Sequence, residues 1–180
     1  MKSRDQITSG SASYGNAGPA PTSYSETSGL EGSTVNNPPS DAPGTFAAFT
    51  SKKLKATTDL VGSPRLTVRL SDPVAAATQF INPGAHLVLF AKIYDIAPDG
   101  TKTLHDRLIS PTRVTDVTRP VSITLPGVVQ RFPKGHQIQV VLAASDVAYG
   151  GNALAQPVTL NLSKSAPSSL RLPLVQALRF

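Results

Sequence analysis

The sequence predicts an all-β fold, a β-sandwich entered through an extended N-terminal arm. Sixteen Pro and thirteen Gly in 180 residues work against long helices, because Pro removes a backbone donor and Gly adds chain entropy that folding must overcome. Segments that alternate polar and apolar residues recur along the chain, each bounded by Pro or Gly, the pattern of short strands joined by turns. No stretch carries a convincing helical repeat of about 3.6 residues. The length suits one domain, since single domains run to about 100–200 residues, and it divides into an arm over residues 1–44 and a sandwich over 45–180.

In the arm, residues 9–44 are dominated by Ser, Thr, Gly, Pro, Ala and Asn, with Leu30 and Val35 nearly alone as larger aliphatics. Such a stretch buries too little surface to offset its ordering entropy, so it should be extended and ordered only where something holds it. Tyr14 and Tyr24 are candidate anchors, although exposed loop tyrosines are the plainer reading. Regular structure should begin near Thr45, where Phe46 and Phe49 lead into Lys52-Lys53-Leu54. Residues 65–70 alternate Arg-Leu-Thr-Val-Arg-Leu and predict a strand with one wet face. Residues 85–96 are apolar on both parities, as a central strand covered on both faces requires. They run into Ala97-Pro98-Asp99-Gly100, a turn that should close a hairpin. Further strands are expected at 121–125, 137–142 and 158–162, with a last one within 168–174.

Composition narrows the chemistry. With no Trp and ten Phe and Tyr together, the core should be aliphatic. With no Cys there is no thiolate nucleophile and no Cys-ligated zinc. The net charge of +6 is uneven: residues 1–51 hold two basic and four acidic side chains, and the remainder fifteen and seven. The folded part is therefore basic, but only Lys52, Lys53 and Lys55 cluster, which does not make a nucleic-acid footprint. No apolar run reaches the roughly 20 residues of a membrane span, and residues 1–10 hold no hydrophobic stretch suited to a signal peptide.

Catalytic patterns fare no better. The nearest approach to a G-x-S-x-G elbow is Gly10-Ser11-Ala12-Ser13-Tyr14-Gly15, off by one residue and preceded by no predicted strand. His86, His105 and His136 share no helical spacing, and two of them begin predicted strands just after a Gly-containing turn, which suits turn-edge residues better than a triad or a metal site. The carboxylates Asp95, Asp99, Asp106, Asp116 and Asp146 form no pair by spacing. Asp95 and Asp99 are placed to cap the Pro-Asp-Gly turn. No cofactor or metal is implied.

The order of three motifs resembles a known family. They are Lys53-Leu54 with Val61-Gly62-Ser63-Pro64-Arg65-Leu66-Thr67-Val68; Leu89-Phe90-Ala91-Lys92-Ile93-Tyr94-Asp95-Ile96-Ala97-Pro98-Asp99-Gly100; and Phe132-Pro133-Lys134-Gly135-His136-Gln137-Ile138-Gln139-Val140, with Ser145-Asp146 behind. In this sequence of motifs the chain is similar to the C-terminal domain of X-prolyl dipeptidyl-peptidases and cocaine esterase-like (CocE/NonD) serine hydrolases. The resemblance implies a jelly-roll sandwich of the galactose-binding-domain-like type. It also implies a non-catalytic role: the family's nucleophile, acid and histidine lie in an α/β-hydrolase domain, the expected partner, alongside possible homo-oligomer contacts. Asp95, Pro98, Asp99, Gly100, Gly135 and His136 are then structural turn residues, and His136 matches a Gly-His turn rather than a catalytic histidine. Two departures stand out. A Gly-x-x-Arg element common after the hairpin is replaced by Leu104-His105-Asp106-Arg107-Leu108, and an aromatic-Pro pair after Ser-Asp by Val147-Ala148. The competing reading is a stand-alone carbohydrate- or protein-binding module, for which Tyr94 and Tyr149 are the candidate platform residues in the folded part.

Overall fold

The computed structural model describes residues 4–7, 11–15, 41, 45–83, 86–144, 146, 149, 157–161 and 168–175. Its strands are β1 (Arg4–Ile7), β2 (Ser11–Gly15), β3 (Phe46–Thr50), β4 (Thr58–Gly62), β5 (Arg65–Ser71), β6 (Leu87–Ile96), β7 (Lys102–Val114), β8 (Val121–Thr124), β9 (Val128–Phe132), β10 (Gln137–Ala143), β11 (Pro157–Asn161), β12 (Ser168–Arg171) and β13 (Leu174–Val175). All described pairings are antiparallel. The chain is thus an antiparallel β-sandwich, as its alternating segments predict.

One layer is a four-stranded sheet in the order β3-β10-β6-β7. The other centres on β5, which pairs with β8 on one edge and with β12 and β11, end to end, on the other. Two strands from the first 44 residues join this layer, β1 against β12 and β2 against β11. A small sheet, β13-β4-β9, completes the fold. In β5 every second side chain, Leu66, Val68 and Leu70, is buried. These meet Leu87, Leu89 and Ala91 of β6 and Ile138, Val140 and Leu142 of β10 in one aliphatic core.

A short helix, α1 (Pro73–Thr78), follows β5; it is too short to leave a periodic signature. Its start is nevertheless written in Asp72-Pro73: the Asp72 carboxylate accepts from the Ala75 amide at 2.9 Å, and Pro occupies a first-turn position where its missing donor costs nothing. Beyond the helix, buried Gln79 accepts from the Val117 amide at 2.9 Å and donates to Asp116, which fixes the turn that holds Phe80 and Ile81 in solvent at 77% and 84% exposure.

Candidate functional site

The six residues singled out by sequence come together at one end of the four-stranded sheet, Asp95 near the end of β6 and the other five in two adjoining turns. In the first, the Gly100 amide donates to the Ala97 carbonyl and the Ala97 amide to that of Thr101, each at 2.9 Å. Gly100 has φ +88, a left-handed value at which a Cβ would be strained. Asp99 accepts from the Thr101 amide at 2.9 Å, and hydrogen bonds from Thr101 chiefly hold its carboxyl below the ordinary range. In the second turn, His136 donates its amide to the Pro133 carbonyl at 3.2 Å around Gly135, whose φ is +89, the positive value that the third residue of a type II turn takes.

Two contacts couple the turns. His136 Nδ1 lies 2.9 Å from Asp95 Oδ1, both side chains being largely sheltered. A Cβ on Gly135 would stand 3.7 Å from Cγ of Pro98. Leu54 then bolts the second turn from outside, donating to the His136 carbonyl at 2.8 Å and accepting from Gly135 at 2.9 Å. The two most family-like motifs therefore form one corner. His136 and Asp95 make a pair, and no third group that would turn the pair into a triad touches it among the described contacts.

The other histidines lie elsewhere. His86 Nε2 bonds the Gln79 carbonyl at 2.9 Å. His105 stands 3.1 Å from Asp106 in an irregular part of β7, where Leu104 pairs with Tyr94 and Ile109 with Lys92, so that residues 105–108 face Ile93 alone. Asp106 has φ 45 there, the left-handed conformation usually left to glycine. That stretch is where the family-like Gly is missing. The near-elbow residues Ser11–Gly15 form strand β2 and not a strand-to-helix turn. Tyr24 and Ser145 lie outside the described residues. No group of three His, Asp or Glu side chains that could hold a metal occurs among the described residues, and no helix among them is long and apolar enough to cross a membrane.

A second polar cluster went unseen in the sequence. Lys92 lies in the middle of the outer face of the four-stranded sheet, fully buried. Its Nζ is 2.6 Å from Asp41 Oδ1 and 3.1 Å from Asp146 Oδ2, and all three side chains are completely sheltered. The Tyr94 hydroxyl donates to the other Asp41 oxygen at 3.2 Å. Burial first, and then the nearby Asp41 and Asp146 charges, push that phenol far above its ordinary value, so it stays a neutral donor. Half-buried Lys102 sits 4.2 Å over the Tyr94 ring, and burial lowers its pKa while Asp41 acts the other way. The only sequence signal for this cluster is a lone Lys inside the apolar run Phe90-Ala91-Lys92-Ile93-Tyr94. Buried Tyr94 cannot serve as a glycan platform, which removes half of that competing reading's basis.

Comparison with known proteins fits this picture. The family model described as "X-Pro dipeptidyl-peptidase C-terminal non-catalytic domain" matches residues 8–170. Among solved structures, an aminopeptidase from a marine sediment Thaumarchaeota archaeon superposes with TM-score 0.65 at 14% identity, over 94% of this chain and 34% of that one. An α-amino acid ester hydrolase gives 0.63 at 14% identity, over 93% and 33%. A CocE/NonD family hydrolase from Staphylococcus aureus gives 0.62 at 15%, over 95% and 34%. This chain thus spans about a third of the length of the proteins whose fold it shares. A search of curated proteins finds no match.

Proposed function

The chain belongs to the X-Pro dipeptidyl-peptidase C-terminal non-catalytic domain family, and from that premise we propose that it packs on the α/β-hydrolase catalytic domain of a serine hydrolase, walling its cleft or making oligomer contacts. The observation that carries this reading is the match over residues 8–170 to a domain defined as non-catalytic. The first 44 residues are read as the arm and residues 45–180 as the module. The corner built by Asp95, Pro98, Asp99, Gly100, Gly135 and His136 then serves to brace two turns, not to do chemistry.

The surface supports docking of this kind. Phe80 and Ile81 stand out from a turn fixed by Gln79. On β4 and β9, Val61 and Val129 are register partners, exposed at 43% and 74%. Large apolar side chains held rigidly in water mark contact surfaces more often than solitary exposed ones do.

The test is capture of the tagged chain from extract of its own cells, with the eluate treated with a fluorophosphonate serine-hydrolase probe. One labelled hydrolase band is expected, and it should weaken when Phe80→Ser and Ile81→Ser are introduced together. Labelling of the chain itself, or an eluate with no labelled band, overturns the reading.

A further inference from the structure

We infer that the outer face of the layer built on β5 is a binding surface for an acidic polysaccharide, a polymer of sugars that carry carboxylate or sulfate groups. The strand register sets out its chemistry in rows. Arg65 of β5 lies opposite Arg171 of β12 on one side and Thr124 of β8 on the other, and β1 brings Arg4 into register with Arg171. Two residues along, about 7 Å away, Thr67 stands between Ser122 and Ser169, and the Thr67 and Ser122 hydroxyls share a hydrogen bond at 3.3 Å. Two residues further comes Arg69. Leu66, Val68 and Leu70 turn the other way into the core, and Arg65, Arg69 and Arg171 are all exposed.

Like charges set directly opposite each other lower the stability of a sheet. No described acid offsets that cost: β5, β8, β11 and β12 contain no Asp or Glu, and the ion pairs among the described residues are made by other cations. Beyond Arg69 the face runs into a cavity of about 290 Å³, lined in part by Arg69, Ser71, Thr118 and Arg119. Asp72 also lines it, but that side chain is almost wholly buried, caps α1 and is biased by burial toward its neutral form.

The surroundings of the arginines select the occupant. Guanidinium forks suit carboxylates and other oxyanions alike. These four strands contain no Phe, Tyr or Trp on which bases could stack, and α1, six residues long, offers no helix to read a major groove. A protein interface needs an apolar or aromatic core, and a membrane surface needs apolar side chains to enter it. The outward positions of β5, β8 and β12 supply neither. What lies among the arginines is hydroxyl: Thr67, Ser122, Thr124 and Ser169 can each donate and accept, as the hydroxyls of a sugar do. A polymer whose anions are spaced among hydroxyls matches both kinds of row. The surface uses none of the residues assigned above to docking on a catalytic domain, so either reading can fail without the other.

The test is calorimetric titration of the full chain with heparin and with polygalacturonate, beside a DNA duplex and vesicles of phosphatidylglycerol. Arg65→Thr, Arg69→Thr and Arg171→Thr together should weaken binding of the polysaccharide about tenfold or more, through lost charge-assisted hydrogen bonds. Lys52→Thr, Lys53→Thr and Lys55→Thr remove the same net charge from another exposed stretch and should change it less than about twofold, since screening confines each charge to its surroundings. Relief of the repulsion should leave the thermal midpoint of the arginine variant at or above that of the parent, which separates lost binding from lost folding. Failure of the parent to bind either polysaccharide, equal losses in the two triple variants, or tighter binding of DNA or vesicles than of either polysaccharide overturns the inference. Should the arginine triple fail to fold, Arg65→Thr with Arg171→Thr must still weaken binding about threefold or more.

Discussion

The two faces of the four-stranded sheet are built on opposite principles. On the inner face Leu89, Ala91, Val140 and Leu142 pack against Leu66, Val68 and Leu160 with no charge among them. On the outer face Phe90, Tyr94, Leu104, Ile109, Val141 and Ala143 form a second apolar cluster, yet a lysine stands in its centre. The inner face derives its stability from area removed from water, which tolerates approximate partners of about the right volume. The outer face gains little net stability from its ion pairs, because desolvation of each ion opposes their attraction. What the pairs fix is position: the buried Lys92 ammonium meets Asp41 at 2.6 Å and Asp146 at 3.1 Å.

That contrast predicts different responses to single changes. Lys92→Met should cost about 3–5 kcal/mol, because it removes the buried ammonium that faces Asp41 and Asp146, while Lys92→Met with Asp41→Asn and Asp146→Asn should recover most of the loss; urea midpoints measure both. On the inner face Leu142→Ala should cost about 2–5 kcal/mol through lost transfer energy and a cavity. No compensating change elsewhere should restore it, which separates the two faces cleanly.

The turns give a smaller effect with a sign that can be reversed. Gly135→Ala should cost about 1–2 kcal/mol, since φ +89 is forced on a residue with a Cβ. Asp106→Gly should do the opposite and stabilise by up to about 1 kcal/mol, because the same kind of backbone strain is relieved. Thermal midpoints of the two variants should move in opposite directions from the parent.

The smallest effect is a pH dependence. Hydrogen bonds hold three carboxyls below their ordinary range: Arg131 on Asp59, Thr101 on Asp99 and Thr118 on Asp116. Unfolding raises their affinity for protons, so the stability they contribute is present above the ordinary carboxylate value of about 4 and is lost as pH falls through their lower folded values. Asp116→Asn should flatten the acid limb of a urea-midpoint curve slightly, leaving the neutral region unchanged in slope.

How much of this was legible follows from the range of each interaction. Strand β5 was plain because its alternation is local, and β6 because an apolar run on both parities implies two covered faces. The turns around Gly100 and Gly135 were equally plain, each being encoded by adjacent residues. Their union through His136 and Asp95 was not, because it joins positions 41 residues apart. Helix α1 was missed for its brevity, although Asp72-Pro73 announced it. Strands β4 and β9 were missed because they belong to a small sheet with one face in water, so Val61 and Val129 read as ordinary surface. The buried cluster of Lys92, Asp41, Asp146 and Tyr94 was hardest to see. Lys92 looked like an interruption in a buried strand, and Asp41 like one more polar residue in a polar arm.

The irregularity in β7 has a consequence for how copies of this chain behave in a crowded solution. As the edge of the four-stranded sheet, a 13-residue strand would offer an incoming chain a long template of free amides and carbonyls. Residues 105–108, crowded opposite Ile93 and turned by left-handed Asp106, break that template into two short pieces out of phase with each other. A strand that began to zip along one piece would lose register before reaching the second. The bulge thereby protects against runaway sheet growth and amyloid-like stacking.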